Sequence, residues 1–129
     1  MGENNSHQEK RKHIRVALDT YILATLTSEK GPQEKMFTSK DMSPEGIFLA
    51  SKELFPVGTV LNLAIHAPTS LKPIHVQAEV VRVARDESSQ PVGMGLVFIK
   101  MAEDDKKEIL KNLYLVYQQI DNKDNDQKY

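Results

Sequence analysis

Residues 74–84 read Ile74-His-Val76-Gln-Ala78-Glu-Val80-Val81-Arg82-Val83-Ala84. As far as Val80 every second residue is apolar, the period of a strand with one buried face. Beyond Val80 the apolar positions change parity, to Val81 and Val83. A slip of one residue would turn the remaining side chains to the wrong face, so the stretch predicts a β-bulge or strand bend near Val80-Val81. Pro68 to Pro73 before it and the polar run Arg85 to Pro91 after it mark its two ends.

The neighbouring segments carry the same signal. Val60 to Ala67 alternates, with Leu61, Leu63 and Ile65 on one side and Asn62 and His66 on the other. Val92 to Ile99 is a further strand whose Gly93 and Gly95 mark a close backbone crossing or a sheet bend. Upstream, Arg15 to Leu26 is apolar and β-branched and predicts a first strand, closed by the turn Glu29-Lys-Gly31-Pro32. Lys35 to Lys40 predicts a short second strand running into a turn at Asp41–Gly46. Ile47 to Ala50 is a short third strand, and Phe55-Pro-Val-Gly58 the next break.

After Met101 the period becomes helical. Ile109, Leu113, Val116 or Tyr117 and Ile120 recur on one face, and Lys106, Lys107, Glu108, Lys111 and Asn112 on the other. Glu103, Asp104 and Asp105 favour a helix start through the macrodipole. Six short strands and one terminal helix, with no internal repeat, define an all-β fold: a small closed or split β-barrel with a C-terminal amphipathic α-helix.

The chain has 129 residues, enough for one domain with a core. The expected organisation is a flexible polar leader at 1–9, one domain at 10–120 and a disordered polar tail at 121–129. The myristoylation-like Met1-Gly2 start and the Asn4-Asn5-Ser6 sequon are short, common patterns and read as parts of that leader. A formal net charge of −1 gives no global positive field and argues against a DNA or RNA partner. There are no cysteines, hence no disulfide or thiol chemistry. No apolar run reaches the length of a membrane span, so the expectation is a soluble cytoplasmic protein. The four histidines, His7, His13, His66 and His75, have no metal-ligand spacing, and no serine shows a His–acid partnership. Neither an enzyme, a bound metal nor a cofactor is expected.

Basic charge is concentrated locally, at Lys10, Arg11, Lys12 and Arg15. The strand there begins with Arg11-Lys-His-Ile-Arg15, and the first hairpin is followed by Asp41-Met-Ser43-Pro-Glu-Gly46. In this order the two match R-x-x-x-R and [D/N]-x-S-x-x-G, and the chain from Lys10 to Tyr117 resembles the PilZ domain, a β-barrel receptor for cyclic di-GMP. The resemblance implies a six-stranded PilZ-type split barrel. It also implies that Arg11 and Arg15 contact phosphate and guanine while Asp41, Ser43 and Gly46 line the base pocket.

The chemistry suits that ligand, which carries two phosphodiester anions and two guanines. Guanidinium groups fork onto phosphate oxygens or guanine O6/N7 and stack on bases. In an extended segment Arg11 and Arg15 leave on one face. A carboxylate at Asp41 accepts from guanine N1–H and N2, the Ser43 hydroxyl bonds phosphate, base or backbone, and Gly46 permits a positive φ or a close approach. Lys10, Lys12 and Arg82 are secondary candidates. Lys10 occupies the place that, by resemblance, influences whether one ligand or a self-stacked pair binds. Val83 stands where some family members carry a stacking aromatic.

The expected role is therefore an effector that changes conformation on binding cyclic di-GMP. It would signal to an unidentified partner protein controlling motility, biofilm or exopolysaccharide output. Monomer and dimer are both compatible, with ligand able to change the state. A ligand-independent PilZ-like adaptor is the alternative, and a single-stranded nucleic-acid barrel a lesser one, disfavoured by the few aromatics.

Overall fold

The computed structural model describes residues 16–17, 20–28, 31–67 and 70–127. Its strands are β1 (Val16–Ala17), β2 (Tyr21–Ser28), β3 (Gly31–Ser43), β4 (Gly46–Ala50), β5 (Val60–His66), β6 (Ile74–Arg85) and β7 (Pro91–Met101), followed by helix α1 (Glu103–Gln127). All pairings are antiparallel, in the order β1-β3-β2-β5-β6-β7-β4, and a β3–β4 pairing closes β2 to β7 into a six-stranded barrel.

The predicted first strand is interrupted. β1 and β2 lie along the same side of β3, Val16 opposite Met42 and Tyr21 opposite Thr38. At the break Thr20 takes side-chain partners in place of a regular ladder. Its N–H donates to Ser39 Oγ (3.2 Å), its carbonyl accepts from Ser39 N–H (3.0 Å), and its hydroxyl donates to the His66 carbonyl. β3 is longer than expected. It continues through Asp41 to Ser43, and the turn shrinks to Pro44-Glu45. Two causes act together: the residue before a proline is held extended, and β1 supplies ladder partners to Asp41 and Met42.

Alternation fills the barrel. Ile22 and Ala24, Leu61, Leu63 and Ile65, Ile74, Val76, Ala78 and Val80, and Met94 and Leu96 are buried in one cluster with Ile109 and Leu113 of α1. The register of β6 against β7 shifts between Val80 and Arg82, the bulge predicted from the parity change.

Asn112 departs from its expected exposed position. It is 3% accessible, because the segment around Ser70 folds over that flank of α1. Its amide donates to Ser70 Oγ (3.0 Å) and the Glu108 carbonyl (2.8 Å), while the Ser70 hydroxyl donates to Glu108 Oε2 (2.7 Å). Asn112→Ala leaves Ser70 short of a partner and should cost about 1–2 kcal/mol, read as a lower midpoint in urea unfolding. The helix also runs past its expected end at Ile120, to Gln127. No Gly or Pro follows Gly95 to stop it. Among the described residues no helix is long and apolar enough to cross a membrane.

Candidate functional site

One row of residues crosses five neighbouring strands. Ala17 is opposite Asp41, Asp41 opposite Phe48, Phe48 opposite Gly95, and Gly95 opposite Arg82. Directly opposed residues share a face of the sheet. The adjacent row, with Met42, Ile47 and Leu96, is buried, so the row from Asp41 to Arg82 lies on the outside of the barrel. At about 4.8 Å between strands it extends roughly 14 Å along the curved surface.

Two bulges put the charges there. On β3, Phe37 and Ser39 point inward, and the same parity would bury Asp41. The register instead shifts between Ser39 and Asp41, with Lys40 as the extra residue. Met42 then turns in and Asp41 out. On β6, Ala78 and Val80 point inward, and their parity would bury Arg82; the bulge at Val81 turns it outward. A carboxylate and a guanidinium thus reach one exterior row by the same device.

Between them the strands give a floor. Glycine at 95 leaves room for Arg82, whose Nε lies 3.5 Å from where a Cβ would stand. Glycine at 93 leaves room for the Phe48 ring, which a Cβ would meet at 2.5 Å. The Arg82 guanidinium carbon lies 5.4 Å from the centre of that ring, a cation–π contact. Phe48 is thus the member of this face that the sequence reading passed over. Val83, the position considered for an aromatic, lies opposite the buried Met94 on the other side of β6.

Ser43 and Gly46 flank the two-residue turn. Ser43 is buried, and its Oγ accepts from Glu45 N–H (3.3 Å), while the Glu45 carbonyl accepts from Phe98 N–H (2.8 Å). Gly46 has no positive φ; among the described residues the glycines that do are Gly31 and Gly58. A Cβ on Gly46 would lie 2.2 Å from the Leu96 carbonyl oxygen. Its close neighbour is therefore the backbone of β7. Lys10, Arg11, Lys12 and Arg15 lie outside the described residues. Val16 and Ala17, which follow Arg15 in the sequence, pair with Met42 and Asp41. Among the described residues no three His, Cys, Asp or Glu side chains are grouped to hold a metal ion.

The PilZ domain profile matches residues 9–115. Among curated protein sequences none matches the chain. Solved structures share its fold. The Bacillus subtilis inhibitor of motility MotI (DgrA) superposes with a TM-score of 0.68 at 24% identity, over 87% of this chain and 52% of that one. The PilZ domain with c-di-GMP of YcgR from Escherichia coli gives 0.66 at 10% identity, over 90% of this chain and 98% of that one. The MrkH–c-di-GMP complex of K. pneumonia gives 0.67 at 18%, over 88% and 55%. The chain therefore spans about half the length of MotI and MrkH and nearly all of the isolated YcgR domain. Barrel, helix, paired motifs and a profile match over most of the sequence lead to one assignment: the chain belongs to the PilZ domain family.

Proposed function

We propose that the protein is a cyclic di-GMP effector whose ligand lies along the outer row between Asp41 and Arg82. The observation that carries the reading is the row itself, in which an acceptor, an aromatic ring and a guanidinium share one face beside the strand that follows Arg15. The solved complexes of YcgR and MrkH with c-di-GMP, on the same fold, support it.

In this reading Asp41 accepts from the N1–H and N2 amine of one guanine. Arg11 and Arg15, with Lys10 and Lys12 adding charge, bind the phosphodiesters and stack on the bases. Arg82, held against Phe48, offers a further planar cation. Ser43 and Gly46 act through the turn: the serine fixes its backbone, and the glycine lets β4 lie close to β7. Binding neutralises the basic cluster and draws the segment before β1 over the row, an electrostatic switch. The altered surface there signals to a partner protein, with motility, biofilm or exopolysaccharide production as the output.

Calorimetric titration with cyclic di-GMP, GTP and a short oligonucleotide tests the reading; saturable binding of the cyclic dinucleotide alone supports it. No binding at micromolar concentrations overturns it. Asp41→Ala removes the acceptor that separates guanine from adenine. Its preference for cyclic di-GMP over cyclic di-AMP should fall by about tenfold or more, the scale of one charged hydrogen bond. Parallel titrations of the two dinucleotides measure that ratio.

A further inference from the structure

The barrel is closed around most of its circumference, but β6 outruns its neighbour on one side. β7 pairs with it as far as Arg85, opposite Pro91. β5 pairs with it only as far as Glu79, opposite Val60. The last bonds on that side are Val80 N–H to the Thr59 carbonyl (2.9 Å) and Gly58 N–H to the Val80 carbonyl (2.7 Å). There the chain turns off at Gly58, with φ of +97°, and Phe55 N–H donates to Met94 Sδ (3.2 Å). Among the described residues no strand pairs with the β5 side of Arg82–Arg85. That leaves a slot four residues long, about 13 Å at strand rise.

The surroundings of this slot are apolar and basic. Val57, Val81 and Val83 are 61%, 45% and 37% exposed. Arg82 and Arg85 are the charged residues of the segment. The nearest acid in sequence, Asp86, is engaged within the hairpin turn, where its Oδ1 accepts from Ser88 N–H (2.8 Å) and Gln90 N–H (3.0 Å). Cationic side chains guard an open edge against indiscriminate pairing. They also oppose self-association, because a second copy would bring the same two cationic side chains to the shared edge. An acidic strand turns that repulsion into attraction.

We propose that the β6 edge at Arg82–Arg85 docks an extended acidic segment of a partner protein, which adds to the barrel as a short antiparallel strand. Main-chain bonds to β6 provide the register, carboxylates three residues apart leave the added strand on opposite faces to meet Arg82 and Arg85, and the β-branched residues between them cover Val83. The docking does not depend on the dinucleotide reading. Because Arg82 also belongs to the ligand row, the variant that tests it is Arg85→Glu.

The test titrates the full chain with an acetylated, amidated peptide that carries Glu at every third position with Val between. Controls are the same peptide with Lys for Glu and the Glu peptide N-methylated at alternate residues. The Glu peptide should bind at least tenfold more tightly than the Lys peptide and slow hydrogen exchange at amides in 81–85. N-methylation should abolish binding, and Arg85→Glu should reverse the order of the two peptides. Equal binding of the N-methylated peptide would mean charge attraction without strand addition and would overturn the proposal. So would exchange at 81–85 unchanged by the peptide, or protection there that grows with protein concentration alone, the mark of a second copy. The wild-type peptide comparison decides the matter even if the variant folds poorly.

Discussion

Gly46→Ala should lower stability by about 3 kcal/mol, the upper end of what overpacking costs, or roughly 10–15 °C in Tm for a domain of this size. The Cβ would lie 2.2 Å from the Leu96 carbonyl oxygen, and the obstacle is backbone on both sides. Neither strand can yield by a change of rotamer. β4 must move away from β7, and β4 also closes the barrel against β3. Gly95→Ala is the matched control, since its Cβ would meet Arg82 side-chain atoms at 3.5–3.6 Å, ordinary contact. It should cost under about 1 kcal/mol, within the usual range for surface sites. Thermal unfolding of the two variants measures the contrast. Equal, small losses would mean that the β4–β7 approach is softer than its geometry implies.

Arg11→Ala and Arg15→Ala should each weaken cyclic di-GMP binding by about ten- to a hundredfold, the loss of a charge-assisted bond worth roughly 1.5–3 kcal/mol. The fold should be retained, because the buried cluster is built from later residues. Calorimetry gives the affinity and circular dichroism the fold. Unchanged affinity in both variants would remove the N-terminal arginines from the site and leave the outer row to act alone. A collapse of the fold would assign them a structural task instead.

Much of this architecture is written in local pattern. The alternation at Leu61, Leu63 and Ile65 and at Ile74, Val76, Ala78 and Val80 gives the buried faces of β5 and β6. The parity change after Val80 announces the bulge that exposes Arg82. The bulge at Lys40 has no such mark. Its flanks, Ser39 and Asp41, are both polar, so hydropathy does not reveal that one faces the core and the other solvent. Asn112 was misplaced for a related reason: its partner, Ser70, comes from a distant loop. Phe48 was legible in principle. A two-residue turn at Pro44-Glu45 makes Ser43 oppose Gly46, and counting back sets Asp41 beside Phe48. That deduction needed the turn's length, which the wider Asp41–Gly46 reading obscured.

The paired bulges have an evolutionary corollary. Lys40 and Val81 are exposed, and neither side chain fills the core, so substitution at either should be tolerated. Excision should be absorbed as well. Dropping one codon at either position joins Ser39 directly to Asp41, or Val80 to Arg82, and regular alternation still sends the first inward and the charged residue outward. The same loss in a regular stretch of either strand would instead turn the side chains beyond it to the wrong face.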